Sequence, residues 1–538
     1  MVQGNPRAPV VHAPLPNCDP WGRVLDSAVS SEIVLNGEHL RLADVLPVAR
    51  GGARVALSPD ARRRIESSRG VIESILASDR QVYGVNTGFG LLKDIRIPSD
   101  QLEALQINLI RSHAAGVGAP LPAPAARVMM LLRAHVLARG HSGVRPEVVE
   151  TLLAHLNADL LPLVPEQGSI GASGDLAPLS HLALALVGEG EVFLRGARMK
   201  AGAALEKTGI APLKLGPKEG LALVNGTQLI TAVGALALLE AEELAVLSDL
   251  AGACTLEALK GSHHAFEERI HALRPHAGQV RSAANLRLLL QGSAIARSHE
   301  DCGRVQDSYS LRCMPQVHGS AREGMRFTRS ILEIEIDAVT DNPIVFPDEG
   351  DVVSGGNFHG ESPALALDCL AIATASLGSI SERRIDRLMN PVLSGLPPFL
   401  TREAGVHSGL MMAHVTAAAL VSENKVLCHP ASVDSIPTEA NQEDHVSMGP
   451  IAARKARSVV QHVRQVIAIE ILSACQALDL LSPLLPGRGV RAVHEAVRQA
   501  VPFMERDRIL SDDMRVMDGL AADGSLRAAA EQAVGALR

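Results

Sequence analysis

Aromatic side chains are scarce in this sequence: one Trp, two Tyr and eight Phe make 2% of 538 residues, against an apolar fraction of 47%. The core must therefore be built from Ala, Leu and Val, and small side chains suit helices whose axes approach closely. Excess positive charge is also missing. A net charge of −8 argues against general nucleic-acid binding, which needs a basic surface. No CxxC pair occurs among the seven cysteines (18, 254, 302, 313, 369, 428 and 475), an odd number that reads as reduced thiols of a cytoplasmic protein. Twenty histidines contain no HExxH and no Cys/His cluster at zinc spacing, so neither a metal nor a nucleotide cofactor is expected. The proline-rich start has no apolar stretch typical of a signal peptide. The most apolar long segment, 221–250, is broken by Asn225, Gln228, Glu240, Glu242 and Glu243, which excludes a membrane span there. Internal repeats and long low-complexity linkers are absent as well. One integrated chain is expected.

Residues 1–30 read as a flexible leader. Alternation around Asn36-Gly37 suggests a small hairpin between Ser31 and Leu46. Ser58-Pro59-Asp60 opens a helix to about Ser78, with a capping side chain and an early proline. Gln106 to Gly118 reads as a helix ending in glycine. A long Ala/Leu helix follows Asn225-Gly226 and reaches about Leu259. Pro347 and Gly350 lie in the turn of a short hairpin between Asn342 and Ser354. Ser379 to Met389 reads as a helix with an exposed charged face. Val460, Val463, Ile467, Ile471, Ala474 and Leu478 recur every three or four residues, the stripe of an amphipathic helix facing a core or a subunit interface.

The chemistry centres on Ala172-Ser173-Gly174-Asp175, reached through Gly168 and Gly171 and followed by an apolar helix from Leu176 to Val187. Glycines around Ser173 free the backbone, and Gly174 leaves its own amide nitrogen little shielded. That nitrogen could attack the carbonyl of Ala172 and close a five-membered ring. Loss of water would then leave an exocyclic methylidene, an electrophile that no ordinary side chain supplies. By itself the tetrapeptide reads rather as a glycine-rich turn with Ser173 as a helix cap.

Residues 172–181, ASGDLAPLSH, resemble the cofactor-forming segment of the aromatic amino-acid ammonia-lyase and aminomutase family, in which Ala-Ser-Gly becomes 4-methylidene-imidazol-5-one. Further motifs match in the family's order from about residue 31 to the C-terminus. YGVNTGFG (83–90) is similar to the loop whose tyrosine removes the substrate β-proton, which gives that role to Tyr83. Ser112-His113 matches the substrate-selecting pair of the histidine-specific members, and some tyrosine aminomutases share it. The match to NGT(Q) places Asn225 beside the prosthetic group. QDSYSLR (306–312) resembles the motif whose arginine grips the α-carboxylate. Arg312 takes that role by resemblance, with Tyr309 near the amino group and Gln306 in support. Phe358 corresponds to an aromatic packed against the ring, and Met411 to a pocket methionine. NQEDHVSM (441–448) resembles the histidine-specific version, so that Glu443 would pair with an imidazole.

The resemblance implies a mainly α fold: a small N-terminal lobe (about 31–220), then a long helical bundle with C-terminal helices (about 221–538). It implies a homotetramer with active sites shared between subunits, acting on a small amino acid with no nucleic acid or membrane partner. The expected reaction is non-oxidative elimination of ammonia from L-histidine to give trans-urocanate. A tyrosine or phenylalanine ammonia-lyase, or a 2,3-aminomutase on the same scaffold, is the alternative. His318, His407 and His414 stand where histidine lyases more often carry Met, Asn and Gln, and Glu439 where a small polar residue is usual. The three histidines would reshape the pocket under the alternative reading. A serine hydrolase would need GxSxG, which GASGD is not.

Overall fold

The computed structural model describes residues 31–300, 303 and 305–538, so the leader expected over 1–30 lies outside the described residues. Twenty-one α-helices stand against nine short strands among them, and the protein is mainly α. The first strand, Ser31–Leu35, pairs in parallel with Ala53–Leu57, Ser31 opposite Ala53 and Leu35 opposite Leu57. The Leu42–Ala49 helix connects them, burying Leu42, Val45, Val48 and Ala49. This corrects the expected hairpin. The chain does turn at Asn36-Gly37, but into a helix, and a parallel pair needs such a crossover.

The next helix, Pro59–Leu76, starts as predicted, with Ser58 Oγ accepting from the Ala61 N–H at 3.1 Å. The Leu102–His113 helix stops five residues before Gly118. Its expected last turn is extended instead, because Val117–Pro120 pairs antiparallel with Pro165–Gln167. The hairpin between Asn342 and Ser354 forms from Ile344–Phe346 and Asp351–Val353.

Four long helices make the bundle: Gln228–Ala258, Met314–Asp337, Glu361–Met389 and Gly449–Leu480. Gln228–Ala258 and Glu361–Met389 pack on each other, and each also packs on Met314–Asp337 and on Gly449–Leu480. Gln228–Ala258 is buried on nearly every side, and an apolar circumference sends a helix to the centre of its bundle. The stripe from Val460 to Leu478 is buried within the chain and is core.

The charged face expected on 379–389 is only half exposed. Arg383 points outward, whereas Arg384 is fully buried. The Arg384 guanidinium forks onto Glu470 of the neighbouring helix, Nε to Oε1 at 2.5 Å and Nη2 to Oε2 at 2.7 Å. Thr255 and Ser381 also donate to that carboxylate, which satisfies a charge pair far from water. Glu361–Met389 is the one helix among the described residues long and apolar enough to cross a membrane, and 61% of its apolar window is buried inside the bundle.

Candidate active site

The 172–174 loop meets the start of the central helix. Gly174 and Gly226 form a parallel bridge in which the Asp175 N–H donates to the Gly226 carbonyl at 2.7 Å. The Gly226 N–H donates back to the Ser173 carbonyl at 3.3 Å. Gly174 has φ +74°, and a Cβ there would stand 2.9 Å from Gly226 Cα and closer still to its carbonyl group. Only glycine fits. Asp175 Oδ2 accepts from the Leu229 and Ile230 N–H groups at 2.7 and 3.1 Å. It thereby caps the central helix, where backbone N–H groups lack partners inside the helix. Burial pushes the Asp175 pKa up to about 7, against the lowering effect of those two N–H groups.

Above this floor lies a cavity of about 1200 Å³. Of the residues singled out in the sequence, the chain brings Tyr83, His113, Ala172 and Ser173 to its wall. Asn225, Phe358 and Glu443 join them, with Gly174 just beneath. The Ser173 hydroxyl donates to Glu443 Oε1 at 3.4 Å, and Glu443 Oε2 accepts from Thr438 Oγ1 at 2.7 Å. His113, on the last turn of its helix, places Nδ1 2.9 Å from the Leu109 carbonyl. Nδ1 is therefore the protonated donor, and Nε2 is free for a ligand. Asn225 donates through Nδ2 to the Asn342 carbonyl at 2.9 Å, while its buried Oδ1 has no partner. A buried acceptor without a donor is suited to a bound group.

Tyr83 lies beside the Gly90 N–H, 3.5 Å from its phenol oxygen. Burial raises its pKa, Glu439 and Glu443 raise it further, and the Gly90 N–H pulls it down. A base working near neutral pH calls for a lowered pKa, and the single chain by itself supplies the opposite environment.

Four expected site residues do not line this cavity: Gln306, Tyr309, Arg312 and Met411. Gln306 is exposed, as is Tyr309, whose ring carries the Arg312 guanidinium at 4.7 Å. Arg312 Nε has no partner. His318, His407 and His414 do not line the cavity either. His318 is in the core with Nδ1 2.8 Å from Asp249, His414 contacts Glu382 at 2.9 Å, and His407 faces Asp507. Sequence reading gave no role to Lys93, His359 or His445. His359 and His445 stack at 5.9 Å on the cavity wall. Two histidines adjoining motifs already noted were the available signal.

The residues present suit 4-methylidene-imidazol-5-one. Gly174 occupies a cradle that a Cβ would fill, the Ser173 side chain faces the cavity, and Asn225 offers an unpaired acceptor at the same wall. Among the described residues no His/Cys/Asp/Glu group is arranged to hold a metal ion.

Residues 40–499 match the aromatic amino acid lyase family. The chain is 57% identical to a histidine ammonia-lyase of Anaeromyxobacter sp. (strain K), over 92% of this chain and 99% of that one. Among solved structures it resembles the histidine ammonia-lyase of Trypanosoma cruzi, with a TM-score of 0.87, 48% identity and coverage of 94% and 96% of the two chains. It also resembles a tyrosine aminomutase of Streptomyces globisporus, with a TM-score of 0.89, 37% identity and coverage of 94% and 100%.

Proposed function

The chain belongs to the aromatic amino acid lyase family, and from that premise we propose that its pocket eliminates ammonia from L-histidine to give trans-urocanate. The β-proton of an amino acid is weakly acidic and its ammonium is a poor leaving group, so both ends of the elimination need help. Residues 172–174, cyclised to 4-methylidene-imidazol-5-one, supply an electrophile that makes the amine a better leaving group. Tyr83, as the phenolate, takes the β-proton on its oxygen and becomes the neutral phenol. Burial raises the pKa of that phenol, so its phenolate is a strong base once formed.

The substrate imidazole lies between His113 and Glu443. The observation that carries this reading is the Glu443 carboxylate, 3.4 Å from the Ser173 hydroxyl and in the same cavity as His113. A carboxylate there stabilises a protonated imidazole. The phenol of a tyrosine, the substrate under the aminomutase alternative, is neutral near pH 7 and gains no charge pairing. Asn225 holds its Oδ1 toward the prosthetic group or substrate amine, and Phe358 packs against the ring.

Gln306, Tyr309, Arg312 and Met411 serve the pocket of a neighbouring subunit in a homotetramer. Arg312 grips the α-carboxylate there, with Tyr309 near the amine. The exposure of Gln306 and Tyr309 in the single chain and the unpartnered Arg312 Nε support that placement. The five described cysteines are free thiols, which supports the cytoplasm as its compartment.

Intact-mass measurement tests the prosthetic group. The wild-type chain should weigh two waters less than its sequence, and Ser173→Ala should show its full mass with no turnover. A wild-type chain of full mass would overturn the reading.

A further inference from the structure

The 438–443 loop carries three consecutive left-handed residues that are not glycine: Glu439 at φ +48°, Ala440 at +51° and Asn441 at +67°. L-residues avoid this region, and a run of three persists only where the surroundings hold it. The loop is closed at its base by an antiparallel bridge between Thr438 and Glu443. At its tip the unusual backbone aims Glu439 across the cavity mouth at the Tyr83 loop. Both carboxylate oxygens occupy the space where a Gly90 side chain would begin. Burial raises the pKa of that carboxylate, and the Leu91 backbone N–H lies close enough to it to pull the pKa down against that effect. One turn on, Lys93 Nζ donates to Gln442 Oε1 at 2.7 Å. Two ties therefore join the loops, and the first falls beside the Gly90 N–H that approaches the Tyr83 oxygen.

We propose that Glu439 is a positioning residue that latches the Tyr83 loop over the pocket and sets the phenol for proton abstraction. The proposal rests on the assignment of Tyr83 above as the base. Glu439 is not needed to receive the imidazole, because Glu443 already faces Ser173, whereas the Glu439 oxygens face Gly90 and Leu91. Gly90 is required by the same geometry. Its φ is +54°, and any Cβ would displace the carboxylate.

The test compares wild type with Glu439→Ala and Glu439→Gln in the assembled enzyme. It reads steady-state kinetics and hydrogen–deuterium exchange of peptides covering 86–96. A small misplacement of a reacting group costs on the order of 10²-fold in rate, so kcat of Glu439→Ala should fall about 10- to 100-fold with KM changed less than about threefold. Exchange over 86–96 should quicken about tenfold, in line with loss of a local closing contact. Glu439→Gln keeps an acceptor for the Leu91 N–H and should restore most of both. A higher KM with unchanged exchange would make Glu439 a substrate contact and overturn the latch. Faster exchange with unchanged kcat, or no change in either readout, would overturn it too. Tyr83→Phe serves as the separate control. If that variant keeps full turnover, the base assignment fails, while the exchange result still decides whether Glu439 holds the loop.

Discussion

Gly174→Ala removes none of the atoms that would react, since the amide nitrogen, the Ala172 carbonyl and the Ser173 hydroxyl all remain. It changes only the shape of the loop. An L-residue at φ +74° costs about 1–2 kcal/mol relative to glycine. The new Cβ would also collide with Gly226, whose backbone is fixed at the start of the central helix. Relief requires the Gly174–Gly226 bridge to open, with loss of its bonds at 2.7 and 3.3 Å. At a net value of about 1 kcal/mol each, these bring the local cost to about 3–4 kcal/mol. Each 1.4 kcal/mol is tenfold, so the fraction of chains holding the cyclising geometry should drop by about 10²- to 10³-fold. Intact-mass spectrometry of freshly purified protein is the assay. Gly174→Ala should retain its two waters while its helical circular dichroism matches wild type. Gly196→Ala controls for strain alone, because Gly196 has φ +83° and nothing within 4 Å of a built Cβ. It should dehydrate normally. Complete loss of two waters in Gly174→Ala would refute the claim that the bridge shapes this loop for ring closure.

The remaining predictions concern the base and two buried charges. Tyr83→Phe should lower kcat by about 10²- to 10⁴-fold, the usual contribution of a positioned base. Because Tyr83 acts deprotonated and its pKa is raised, kcat/KM should climb with pH on the alkaline side, and Glu439→Gln should move that climb to lower pH by removing one negative charge. Arg384→Met strands Glu470 in the core and should destabilise the fold by about 3–5 kcal/mol in urea titrations; Arg384→Met with Glu470→Leu should be milder. Asp175 has a folded pKa of about 7, above its ordinary 3.8, so between those values the folded state holds a proton that the unfolded chain releases. Stability should therefore fall as pH rises through that window, and Asp175→Asn should flatten the trend in urea midpoints measured at pH 5 and pH 8.

Local signals carried much of this architecture. Ser58-Pro59, the Ala/Leu run after Gln228 and the stripe from Val460 to Leu478 specify helices through capping and periodicity, and those helices form. Non-local pairing was less legible. Asn36-Gly37 marks a turn whether the next strand returns antiparallel at once or in parallel after a helix. Arg384 looks like any surface arginine until Glu470, distant in sequence, supplies its partner. Motif resemblance singled out seven side chains that the fold does bring to one cavity wall. It could not indicate that Gln306, Tyr309, Arg312 and Met411 sit away from that wall in the single chain. Glu439 stood out in the sequence only as an unusual residue before NQED. Its approach to Gly90 depends on three consecutive left-handed residues, of which only Asn441 is of a type that favours that conformation.

The central claim is the substrate, and ultraviolet absorbance tests it most directly. Purified protein is given L-histidine, L-tyrosine and L-phenylalanine in separate cuvettes, and formation of a conjugated product is followed. A conjugated product from histidine alone is the result expected of the His113 and Glu443 pocket. Product from tyrosine or phenylalanine, with none from histidine, would contradict it.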